Sequence, residues 1–175
     1  VHPDWQSGRM VPVMLWIHGR TVHKELDPGR YLRWMRAGLG TCAVDLPGHG
    51  ERLEESLIQP SQSWPVIRQM IDEIDEVVAA LGEMPEFDSR RLGIGGMSAG
   101  GMATLARLCA PHPFRCASVE ATTGSWRHQQ DREMFRGHSV AAIDQLNPID
   151  RLDQWREIPL QAIHARHDEW VSIDG

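Results

Sequence analysis

No apolar run in the 175 residues approaches the ~18 positions that a membrane-spanning helix needs. Lysine and arginine form no block, and the formal charge is -6. A nucleic-acid binder that works by neutralising phosphates is therefore not expected. Cysteine is scarce and odd in number. Cys42, Cys109 and Cys116 cannot close into a disulfide framework, and each sits among apolar neighbours. They read as small buried hydrophobes in a reducing compartment, which makes the cytoplasm the expected location. No charged segment followed by an apolar core opens the chain, so no signal peptide is read. There is no internal repeat and no low-complexity stretch. Length and an ordinary apolar fraction predict one globular domain over residues 1–175.

What is present is alternation. Residues 11–17 (VPVMLWI) form a short, nearly continuous apolar run, as a strand buried on both faces does. Further strands are predicted over 41–44, 91–95, 116–119 and 160–164. Between them lie helical patterns. One covers 31–37. A long one is capped by Ser63, carries apolar residues at steps of three and four from Val66 to Leu81, and ends at Gly82. A third runs over 99–110 and stops at Pro111, and a short one is predicted over 149–155. Strands separated by helices predict a parallel sheet with helices on both faces, a three-layer α/β domain. Ligands then sit at the carboxyl ends of the strands. His18, Asp45, Ser98, Glu120 and Asp168 all fall there.

Gly96-Met97-Ser98-Ala99-Gly100 fits the G-x-S-x-G pattern, between a predicted strand and a predicted helix. A serine on so tight a turn has a strained backbone. Gly96 and Gly100 remove side chains that would collide across it, and the helix N-terminus favours developing negative charge. A second reading of the same glycines is a dinucleotide-binding fingerprint at Gly93 to Ser98, with Glu120 as the ribose contact. Against it, the sixth position is Ser98, and two β-α units precede the motif.

These features together resemble the α/β-hydrolase superfamily. His18-Gly19 resembles its oxyanion loop, and Asp45 to Arg52 (DLPGHGER) its D-x-P-G-H-G segment. Asn147 to Asp150 and His164 to Val171 (HARHDEWV) resemble the segment that carries the acid. The branch indicated is that of dienelactone hydrolases and prolyl-oligopeptidase-like esterases. The resemblance implies Ser98 as nucleophile, Asp168 as acid, and the backbone N–H groups of Ala99 and Arg20 as the oxyanion hole. Glu120 is the alternative acid, since some relatives carry it there. Ala165 departs from the glycine usual at its position.

The implied activity is hydrolysis of small carboxylic esters through an acyl-enzyme, with no cofactor and no metal. Acyl transfer or cleavage of short peptides, and a non-catalytic hydrolase-fold binding protein, are the other readings. The expected partner is a small ester, with neither nucleic acid nor membrane. In the superfamily the general base is a histidine that follows the acid. No histidine follows Asp168 here, so the chain is expected to continue natively past Gly175 and to leave its last strand with an uncovered edge. His18, His49, Met97 and Trp126 are the candidate pocket residues. For His49 loop ordering is the favoured reading, and His18 reads first as a structural group bonding nearby backbone. His164 and His167 lack a third ligand for a metal. Residues 122–146 read as a lid-like insertion. Its cations Arg127, His128, Arg132 and Arg136 read either as a solvated face or as a preference for an anionic substrate.

Overall fold

The structure, a computed structural model, describes residues 1–4 and 8–174. Five parallel strands form one sheet: β1 (Val11–Ile17), β2 (Gly40–Val44), β3 (Phe87–Met97), β4 (Cys116–Glu120) and β5 (Leu160–Ile163), in the spatial order β2-β1-β3-β4-β5. Four helices accompany them: α1 (Pro28–Arg36), α2 (Ser63–Gly82), α3 (Ala99–Leu108) and the short α4 (Val140–Asp144). The alternation read from the sequence is thus a parallel α/β sheet, with α1 on one face and α2 and α3 on the other.

Side-chain alternation along the strands separates the two faces. Val13, Leu15, Ile17, Leu92, Ile94 and Ala117 join Val66, Ile67 and Met70 of α2 and Met102 and Ala103 of α3 in the main core. Burying a valine, leucine, isoleucine or methionine side chain contributes about 1.5–3 kcal/mol relative to leaving it exposed. On the other face the Trp34 ring of α1 meets the Trp16 ring of β1 edge-on at 5.6 Å. β5 lies at the sheet edge with all four residues exposed. No helix among the described residues is long and apolar enough to cross a membrane.

Three local details differ from the sequence reading. Ser63 is the first residue of α2, not its cap; its hydroxyl donates to the Pro60 carbonyl at 2.7 Å, so Gln62 takes the flanking position. α1 begins earlier, at Pro28, because Asp27 Oδ1 accepts from the Arg30 N–H at 3.0 Å and proline suits the first turn. The 149–155 helix is a tighter 3-10 segment over Pro148–Gln154.

Candidate active site

Ile17 pairs with Gly96 and Met97 with Glu120, so the ends of β1, β3 and β4 lie side by side. Ser98 follows β3 directly and opens α3 with φ 50° and ψ −115°, a backbone conformation that costs a non-glycine residue on the order of 1–3 kcal/mol. The surroundings hold it there. Its N–H donates to the Glu120 carbonyl at 2.9 Å, and its own carbonyl accepts from the Met102 N–H at 2.9 Å and the Thr122 hydroxyl at 2.9 Å. A Cβ on Gly96 would strike the Gly100 backbone, and one on Gly100 would strike the Ile17 and His18 carbonyls. The two glycines are the condition for the turn. Among the described residues the Ser98 side chain makes no hydrogen bond, and it does not cap α3.

Ser98 opens into a cavity of about 550 Å³, together with Ala99, Arg20, Thr21, Pro60, Arg132, Glu133, Met134, Trp170 and Val171. The loop after β1 reaches it because Gly19 packs against the Ser98 turn; a Cβ there would stand 3.4 Å from that of Ser98. Arg20 therefore follows directly beside the serine. Thr21 has φ 68°, a second strained position on the cavity rim that no sequence signal marked. Three residues of the 122–146 stretch form one wall.

Asp168 follows β5. Its Oδ1 accepts from the Trp170 and Val171 N–H groups at 2.8 and 2.9 Å, and its Oδ2 lies 3.6 Å from His164 Nε2. Burial pushes its carboxyl up, but the Val171 and Trp170 N–H groups outweigh this, with His164 and Arg132, and hold it below the usual range. The residues that fix Asp168 are themselves cavity residues, so the carboxylate is tied to the Ser98 site by its anchors. His164 Nε2 is in turn 2.8 Å from the Val171 carbonyl.

The remaining candidates lie elsewhere. Glu120 does not line the cavity. It points to the α1 face, where Arg30 binds both its oxygens. Trp126, read as a substrate wall, is fully buried; it packs edge-on against Trp64 at 5.3 Å and stacks near Phe135 at 6.1 Å. The polar sequence around it concealed an apolar contact with α2. His18 is buried and orders the loop. Its Nδ1 faces the Gly19 carbonyl at 2.6 Å and its Nε2 accepts from the Leu46 N–H at 3.0 Å. Burial pushes its pKa down, against the raising effect of the Gly19 carbonyl. His49 is buried with Nδ1 2.9 Å from the Pro47 carbonyl. Neither histidine lines the cavity, nor does Met97, which packs on Gly19.

The profile of the prolyl oligopeptidase family matches residues 32–174. Among curated proteins, the chain is 25% identical to esterase YjfP of Escherichia coli over 99% of its own length and 75% of the relative's. Among solved structures it resembles a puromycin-hydrolyzing peptidase of Mycobacterium tuberculosis (TM-score 0.78, 20% identity, 96% of this chain). It also resembles an S-formylglutathione hydrolase of Agrobacterium tumefaciens (TM-score 0.72, 18% identity, 98% of this chain). The chain spans 27% of the first and 70% of the second. At these identities the two structures speak to the fold, which is that of the α/β-hydrolases.

Proposed function

The chain belongs to the prolyl oligopeptidase family, and from that premise we propose that it is a serine hydrolase that cleaves small carboxylic esters through an acyl-enzyme on Ser98. The observation that carries the reading is the strained Ser98 turn opening into a cavity. The esterase name of the YjfP relative supports the ester over the peptide.

The Ser98 hydroxyl attacks the ester carbonyl carbon and gives its proton to an imidazole. The oxyanion accepts hydrogen bonds from the Ala99 N–H, at the start of α3, and from the Arg20 N–H. Collapse breaks the bond to the alcohol oxygen, which leaves with the proton from the imidazolium. Water then repeats the sequence and frees the acid. Asp168 orients the imidazole and stabilises its charged form.

None of the histidines of residues 1–174 lines the cavity: His18 and His49 are buried in loop contacts, and His164 is engaged with Val171. The proposed base is a histidine other than these, in the order of serine, acid and histidine that the family resemblance implies. Residues 122–146 act as a lid over the acyl site, as Arg132, Glu133 and Met134 on the cavity wall suggest.

The test is hydrolysis of 4-nitrophenyl acetate by a longer native chain and by residues 1–175 alone. The longer chain turns the ester over, and Ser98→Ala lowers kcat by roughly 10³-fold or more. Residues 1–175 are nearly inactive. Fast turnover by residues 1–175, abolished by His164→Ala, would move the base to His164.

A further inference from the structure

The cavity carries an unbalanced charge. Arg20, Arg132 and Glu133 line it, two cations against one carboxylate. The lid cations that the sequence presented as one group separate in the structure. Arg127 is neutralised outside the cavity by Asp144 at 3.1 Å and Asp150 at 2.9 Å. Arg132 is in no ion pair among the described residues, and neither is Arg20. The Arg132 guanidinium donates from Nη2 to the Glu169 carbonyl at 3.0 Å, which ties the 122–146 stretch to the Asp168 loop. Its other donors have no partner among the described residues. Asp168 feels the Arg132 charge, but its Oδ1 accepts from two backbone N–H groups and its Oδ2 faces His164, and the two form no ion pair among the described residues.

Apart from Thr21, the remaining lining is apolar: Pro60, Ala99, Met134, Trp170 and Val171. The site thus places a guanidinium that is in no ion pair among the described residues in the same largely apolar cavity as Ser98. A positive cavity on a chain of charge -6 concentrates anions where the rest of the surface repels them. A cavity of this size spans on the order of 10 Å, about the reach of a six-carbon acyl chain from the serine.

Resting on the hydrolase reading above, we propose that the substrate is an ester whose acyl chain is apolar and ends in a carboxylate, which Arg132 binds while the ester carbonyl lies at Ser98. A charge-assisted bond of this kind is worth about tenfold in affinity. Arg20 adds to the field without forming the specific contact. The chemistry at Ser98 is unchanged; Arg132 decides which acyl group is held there.

Two esters of equal length separate this from the general reading: 4-nitrophenyl hexanoate and the 4-nitrophenyl monoester of adipic acid. In the native protein at low salt, kcat/KM for the adipate monoester exceeds that for the hexanoate by about tenfold. Arg132→Met lowers kcat/KM for the adipate monoester about tenfold more than for the hexanoate and so removes that preference, and Arg132→Lys restores part of it. Equal kcat/KM for the two esters, or a preference untouched by Arg132→Met, overturns the proposal. A binding measurement without chemistry keeps the two claims apart. In Ser98→Ala, calorimetry with monomethyl adipate and methyl hexanoate shows the adipate bound about tenfold more tightly. If neither nitrophenyl ester is cleaved and this binding difference persists, the carboxylate site stands and the hydrolase reading falls. Equal binding in Ser98→Ala overturns the carboxylate site.

Discussion

Arg30 grips Glu120 with both terminal nitrogens, Nη1 to Oε1 at 2.8 Å and Nη2 to Oε2 at 2.7 Å. Its guanidinium carbon lies 4.0 Å above the Trp16 ring, and its Nε donates to Asp27 at 2.7 Å. The pair joins the start of α1 to the end of β4. The carbonyl of the same Glu120 accepts the Ser98 N–H. The residue that the sequence offered as an alternative acid thus supports the serine turn through its backbone.

Replacing Glu120 by Gln leaves the Arg30 guanidinium with half a partner on a mostly buried face. The expected loss is about 1–3 kcal/mol, read as a lower urea midpoint at unchanged slope. A loss under about 0.5 kcal/mol would place the pair among idle surface ion pairs.

Asp45 governs the acid limb of stability. Burial alone pushes its carboxyl up. The Lys24 ammonium at 2.9 Å and the N–H groups of Lys24 and Glu51, at 2.8 and 3.1 Å, outweigh burial and hold the carboxyl at about 2. A carboxyl lower in the folded than in the unfolded chain stabilises the fold above its unfolded value, and that contribution fades as pH falls toward the folded value. Asp45→Asn therefore costs roughly 2 kcal/mol at pH 7. The gap between variant and wild type narrows between about pH 5 and pH 2. Urea unfolding at pH 7 and pH 3 measures both gaps; a gap that widens at pH 3 contradicts the assignment.

Gly100 faces the Ile17 and His18 carbonyls, which are backbone and cannot swing away. Gly100→Ala is expected to cost about 3 kcal/mol or to move the Ser98 turn. Gly82→Ala is the control, because nothing stands within 4 Å of its added Cβ and alanine favours a helix. Thermal unfolding that ranks the two variants in the opposite order would show the turn to be looser than described.

Much of this was legible in the sequence because the period-2 and period-3.6 patterns agree with the fold. The apolar run at β1 gave both its ends, and the apolar steps of α2 gave its buried face. The Ser98 turn was legible because strand, glycines and helix follow one another locally. Trp126 was not legible. Its neighbours in sequence are polar, and its burial depends on Trp64, 62 positions away on α2. Glu120 was misplaced for a related reason. Its position at a strand end is local information, but the partner that claims its carboxylate is Arg30, 90 positions earlier. Arg127 and Arg132 look alike in sequence, but tertiary structure brings Asp144 and Asp150 to ion-pair distance of Arg127 and a backbone carbonyl to Arg132.

The central claim is that Ser98 is an activated nucleophile. The measurement is covalent labelling of the native protein by a fluorophosphonate, mapped by peptide mass spectrometry. One adduct is expected on the peptide containing Ser98, formed within minutes at neutral pH and absent in Ser98→Ala. A native protein that stays unlabelled, or that carries its adduct on another serine, would contradict it.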